Sequence, residues 1–137
     1  MITFGMTIQE LVKAKDSLKI SIELLEKAIA DESQNIELHK AIRDASIQRF
    51  EFCIELAWKT SMRILGLDTK APNPAIRDMA QNRLIDDTKI WFDFLLARNK
   101  TSHTYDEDVA KAVYAQAAKV VPELEKLISK LQQITIK

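Results

Sequence analysis

Two glycines and three prolines among 137 residues leave the backbone few places to reverse. That scarcity excludes a many-stranded sheet with tight turns and favours long helices joined by short connections. One cysteine, Cys53, excludes an intrachain disulfide. Its neighbours Phe52, Ile54 and Leu56 suggest a small core residue in a reducing compartment, with a reactive thiol as the alternative. There is no excess of either charge: Lys+Arg and Asp+Glu are 20 each. A net-neutral molecule has no long-range basic field to gather nucleic acid, so any phosphate binding has to be local. No stretch approaches the roughly 18 apolar residues of a membrane span, and Met1-Ile2-Thr3-Phe4-Gly5-Met6 lacks a basic segment ahead of an apolar one. Secretion and membrane insertion are disfavoured, and a cytoplasmic location is expected.

What is present is the material of a core. Hydrophobic residues make up 47% and charged ones 29%, the balance of one globular domain over residues 1–137, with no internal repeat or domain boundary. Thr7-Ile8-Gln9-Glu10 has the form of a capping box and predicts a helix starting there. Ile8, Leu11, Leu18, Ile22, Leu25 and Ile29 then form a stripe suited to a seam between helices, ending near Ala30. After the polar break Asp31 to Asn35, the residues Leu38, Ile42, Ile47, Phe50, Ile54, Ala57, Trp58 and Leu65 predict a second long helix stopped by Gly66. Between Phe50 and Leu65 that helix is apolar nearly all round, which predicts burial on several sides. Either a central place in a bundle or a homodimer interface accounts for this.

Asn73-Pro74 reads as an N-cap with proline at the first helical position, opening a short helix to about Asn82. Asp86-Asp87 predicts a helix over roughly Thr88 to Lys100, with Ile90, Trp91, Phe94 and Leu95 inward. Asp106-Glu107-Asp108 opens a last helical region, which Pro122 is expected to kink or divide. The whole is an all-α antiparallel bundle of four main helices and one short one, dimeric if the second helix supplies an interface.

Arg98 carries the first functional signal. It follows Trp91 by seven residues, Phe94 by four and Leu95 by three, so it falls on an apolar stripe where a guanidinium requires partners. A structural salt bridge, a cap on the carbonyls ending its helix, and a phosphate-binding group at a groove are the three readings. His103 lies five residues on, either capping those carbonyls or acting as a general base, since a neutral imidazole is available near pH 7. Tyr105 offers a phenol for modification or packing. His39 has no suggestive neighbours and receives no role. No Cys/His/carboxylate set has metal-ligand spacing and no glycine-rich loop could cradle a nucleotide, so neither metal nor cofactor is expected. The acidic residues at 106–108 read as charges at a helix start.

The run RNKTSHTY after an aromatic-rich helix, with the upstream segment FEFCIELAWKTSMRILG, resembles the HEPN superfamily over nearly the whole chain. The resemblance is to the branch of nucleotidyltransferase substrate-binding proteins related to HepT toxins, whose R-x4-H-x-Y motif is matched by Arg98, His103 and Tyr105, with the polar Asn99 after the arginine. It implies a helical bundle that dimerises with the two motifs facing each other, and a separately encoded partner, a minimal nucleotidyltransferase. It also implies a toxin-like, metal-independent endoribonuclease with Arg98, Asn99 and His103 as catalytic residues, Arg98 and Lys100 binding RNA or nucleotide, and Tyr105 receiving AMP. A non-catalytic nucleotide- or substrate-binding subunit is the alternative.

Overall fold

The computed structural model describes residues 4–31 and 35–136. Its helices are α1 (Phe4–Ala30), α2 (Ile36–Leu65), α3 (Pro72–Gln81), α4 (Thr88–Asn99) and α5 (Glu107–Ile136), with one 3₁₀ turn over Thr101–His103 between α4 and α5. There is no strand among the described residues, and the all-α bundle of four main helices plus a short one is observed.

Helix α2 is the axis of the molecule, packing against α1, α3, α4 and α5. Its apolar circumference therefore has an explanation within one chain: Phe50, Cys53, Ile54, Ala57 and Met62 are all buried against neighbours on different sides. Helices α1 and α2 run antiparallel. Ser46 Oγ lies 2.8 Å from Ser21 Oγ while, one turn on, Arg49 Nη1 donates to the Ser17 carbonyl at 2.7 Å, so rising numbers on one helix meet falling numbers on the other. Burial of Leu11, Leu18, Leu124, Leu127 and Leu131 continues that seam onto α5.

Local chemistry sets the helix ends. Asn35 caps α2 by accepting from the Leu38 amide at 3.0 Å, and Gly66 ends it at φ +71°, where its amide and that of Leu67 turn back to the Arg63 and Met62 carbonyls. Asp87 caps α4 through the Lys89 and Ile90 amides, and Asp106 caps α5 through the Asp108 and Val109 amides.

Four expectations change. Helix α1 begins at Phe4 rather than at Thr7, so the capping-box sequence lies inside the helix. Ile29 is exposed, because the α1 seam closes with Leu25. The cap of α3 is Ala71 with Pro72 at the first position; Pro74 then occupies the third, where an amide has no intrahelical acceptor in any case. Finally, α5 runs undivided through Pro122. The proline and Ala118, whose carbonyl loses its donor, both sit on the exposed face, where water replaces the lost bond, while Val120, Val121 and Leu124 remain buried on the other.

Candidate functional site

The site begins with an aromatic anchor. Phe94 of α4 is fully buried, meeting Phe50 of α2 edge-on at 6.5 Å and Trp91 at 5.3 Å between ring centroids. One turn after Phe94 comes Arg98 and five residues after Phe50 comes Glu55, so the same packing brings these side chains together. Arg98 Nη2 meets Glu55 Oε1 at 2.5 Å, and Lys59 Nζ approaches Glu55 Oε2 at 3.3 Å. Arg98 is 31% and Glu55 24% exposed at the side chain. The guanidinium is thus held by one carboxylate, the salt bridge among the readings left open by spacing, and still reaches the surface. Its Nε is buried with no hydrogen-bond partner among the described residues. Among the described residues the guanidinium makes no hydrogen bond to the carbonyls ending its helix, and the Arg98 carbonyl itself accepts from Thr101 Oγ1 at 2.8 Å.

Beyond Arg98 the chain winds tightly. The Lys100 carbonyl accepts from the His103 amide at 2.9 Å, the Thr101 carbonyl from Thr104 Oγ1 at 3.2 Å, and the His103 carbonyl from the Asp106 amide at 3.1 Å. Arg98 in the last turn of α4 and His103 in the 3₁₀ turn that follows it are thus joined by a tightly wound, hydrogen-bonded segment. His103 is exposed, and its imidazole makes no hydrogen bond among the described residues, so the carbonyl-capping role is not taken up. The His103 and Tyr105 rings lie edge-on with centroids 6.0 Å apart. Tyr105 is 86% exposed, a phenol open to solvent and not a packing residue. Asn99 is exposed at the end of α4, and Lys100 lines a groove of about 340 Å³ between α4 and α5 with Asp93, Leu96 and Gln116.

Arg43 anchors the base of this loop. Its Nη1 donates to Glu107 Oε2 at 2.6 Å across α2 and α5. The hydrogen bond to Arg43 holds the Glu107 carboxyl below the usual carboxylate range and raises the Arg43 guanidinium further. Asp106 and Glu107 are thereby committed to a cap and an ion pair, and no group of three or more His, Cys, Asp or Glu among the described residues has metal-binding geometry. Burial pushes the Cys53 thiol up to about 12, which argues against a reactive thiolate. His39, given no role by its sequence neighbours, has a buried Nε2 with no hydrogen-bond partner among the described residues.

Sequence reading missed Glu55 and Lys59. The available signal was an i,i+4 Glu-Lys pair in a segment apolar over most of its circumference, a position where charge requires a reason.

A family model described as nucleotidyltransferase substrate binding protein like matches residues 13–133. Among curated proteins, the probable ribonuclease HepT of Haemophilus influenzae is 35% identical over 96 residues, covering 64% of this chain and 66% of that protein; the match thus spans just under two thirds of the relative's length. A Haemophilus influenzae structure, described as revealing the fold of a substrate-binding domain of a nucleotidyltransferase, superposes with a TM-score of 0.83 at 28% identity, covering 91% of this chain and 98% of that one. A crystal structure of a Thermus thermophilus protein superposes at 0.68 and 27% identity, covering 86% and 98%.

Proposed function

The chain belongs to the nucleotidyltransferase substrate-binding protein family, and from that membership and the site's geometry we propose that it is a HepT-like, metal-independent endoribonuclease controlled by a minimal nucleotidyltransferase partner. The observation that carries this reading is the joint disposition of the motif: a surface-reaching guanidinium steadied by Glu55, an exposed imidazole in the next turn that makes no hydrogen bond among the described residues, and an exposed phenol edge-on to it.

In the proposed reaction the His103 imidazole, as general base, removes the proton from a ribose 2'-hydroxyl. The resulting 2'-oxygen bonds to the adjacent phosphorus, and the bond to the 5'-oxygen breaks. That leaving oxygen takes a proton from solvent, giving a 2',3'-cyclic phosphate and a 5'-hydroxyl. Arg98 stabilises the charge accumulating on the phosphorane oxygens, and Asn99 orients the phosphate. The 2'-hydroxyl supplies the nucleophile, so these steps are complete with protein side chains and solvent.

Two copies bring two motifs together in the proposed assembly. Phe52, exposed three residues before Glu55 on α2, and Leu96, exposed one turn before Asn99 and Lys100 on α4, supply apolar surface beside the motif for that contact. Control would act at Tyr105: transfer of AMP from ATP to the phenolic oxygen releases pyrophosphate and leaves a bulky anion beside Arg98 and His103, repelling RNA.

Cleavage of labelled single-stranded RNA in excess chelator, comparing the parent with His103→Ala, tests the reading. The expected result is cleavage by the parent, none by the variant, and matching thermal unfolding of the two. The family's substrate-binding description favours a second reading, a subunit that presents a substrate without cutting it. Under that reading His103→Ala weakens nucleotide binding and the parent shows no cleavage of any RNA.

A further inference from the structure

A second cationic feature lies beyond Glu55. The C-terminal turns of α2 and the connection to α3 enclose a cleft of about 400 Å³, lined by Trp58, Lys59, Arg63, Leu67, Thr69 and Lys70, with Met62 beneath. Three of those residues are cations and none is acidic. Lys59 links this cleft to the motif: its ammonium lies 3.3 Å from the carboxylate that holds Arg98 and 5.6 Å from the centroid of the Trp58 ring. Arg63 follows one helical turn later, exposed and without an ion pair among the described residues. Lys70 has only a 3.9 Å approach to Asp68, with both side chains largely in water, a pair too solvated to neutralise it. Thr69, also at the cleft, donates its hydroxyl to Asp78 at 2.6 Å.

A row of positive charge thus runs from Arg98 across Lys59 to Arg63 and Lys70, with Glu55 as its inner carboxylate, in a molecule whose net charge is zero. The α2 dipole favours cations at this end and so helps to keep Lys59 and Arg63 here, but Lys70 lies outside the helix. Trp58 is almost fully buried and an ammonium lies over its ring, so the cleft offers cations to a phosphate rather than a face on which a base could stack. Positive grooves that track a strand's backbone are how sequence-tolerant proteins hold single-stranded nucleic acid.

We infer that the Lys59–Arg63–Lys70 cleft is a phosphate subsite that holds the RNA strand flanking the phosphate placed at Arg98. This rests on the ribonuclease reading for its substrate, and extends it by fixing which way the strand leaves the motif: along the C-terminal half of α2 toward the α2–α3 connection. Arg63 and Lys70 are binding residues only, distant in role from the proton transfer at His103.

The test measures equilibrium binding of a fluorescent single-stranded 12-mer RNA to His103→Ala protein across a salt series, with and without the added pair Arg63→Gln/Lys70→Gln. Both substituted side chains are exposed, and circular dichroism with thermal unfolding verifies that the fold is retained. Loss of two phosphate contacts is expected to weaken binding roughly tenfold at low salt and to flatten the log-log salt dependence by about 1.4. Unchanged affinity and slope would overturn the subsite, as would failure of the His103→Ala protein to bind RNA at all. Titration with ATP in parallel identifies the occupant: loss of ATP binding with RNA binding intact would assign the cleft to a free nucleotide and overturn the strand path. The two readings fail separately, because RNA binding that depends on Arg63 and Lys70 without any cleavage by the parent would remove the ribonuclease and leave the subsite standing.

Discussion

At the residue scale, the central pair is Arg98 and Glu55. A guanidinium two thirds withdrawn from water is tolerable because one carboxylate meets it at 2.5 Å, and that carboxylate is itself balanced by Lys59. Glu55→Gln keeps the shape but removes the charge, and is expected to cost about 1–2 kcal/mol of stability and to lower RNA cleavage without abolishing it, since Arg98 remains but loses its fixed position. Chemical denaturation alongside single-turnover cleavage separates the two effects; an unchanged cleavage rate would show that Arg98 needs no such support. Spacing alone placed Arg98 on the apolar stripe but could not name Glu55, because the two are far apart in sequence and become neighbours through the packing of α4 on α2, with Phe94 against Phe50.

Arg43 and Glu107 give a pH signature on the same scale. The carboxyl of Glu107 is held below its ordinary value by Arg43, so its contribution is present above the unfolded pKa of about 4.3 and is lost as pH falls through the lower folded value. The gap in Tm between the parent and Glu107→Gln is therefore expected to be full at neutral pH and to close on acidification below about pH 4. A gap independent of pH over that window would show that the pair does not set the carboxyl's titration.

At the scale of elements, two positions share the left-handed conformation with opposite consequences. Gly66 at φ +71° ends α2, and nothing lies within 4 Å of where a Cβ would stand, so Gly66→Ala meets only the conformational cost, about 1 kcal/mol. Arg83 adopts φ +62° just past α3 and bears that cost already. Arg83→Gly is expected to stabilise the protein by somewhat under 1 kcal/mol, as its carbonyl, which accepts from Lys130 Nζ, is unaffected by the change. Urea unfolding of both variants checks the paired signs. The glycine stop of α2 was legible because glycine there has one common meaning; the arginine was not, because propensity argues against it. Pro122 likewise misleads by its sequence alone, since whether it divides a helix depends on which face carries the freed carbonyl.

At the scale of the whole molecule, the all-α bundle was legible because scarce glycine and proline, long apolar periods and capping residues point the same way. The apolar circumference of α2 had two explanations until its contacts with four other helices were known. That central position also fixes the behaviour of Cys53, fully buried with its thiol pushed up to about 12. At pH 8 iodoacetamide is expected to leave the native protein unmodified and to react only at the rate of unfolding. Rapid alkylation of folded protein would mean that the centre of the bundle opens locally.

The motif itself was recognisable in sequence; what the fold adds is that its imidazole and phenol are exposed and edge-on to each other while its guanidinium is held by Glu55. The most direct measurement is mass spectrometry of the ends generated when the parent protein cuts single-stranded RNA in excess chelator. The expected ends are 2',3'-cyclic phosphate and 5'-hydroxyl termini, lost with His103→Ala and with RNA whose 2'-hydroxyls are replaced by hydrogen. Cleavage of the 2'-deoxy strand, or 5'-phosphate ends, would contradict the proposed reaction.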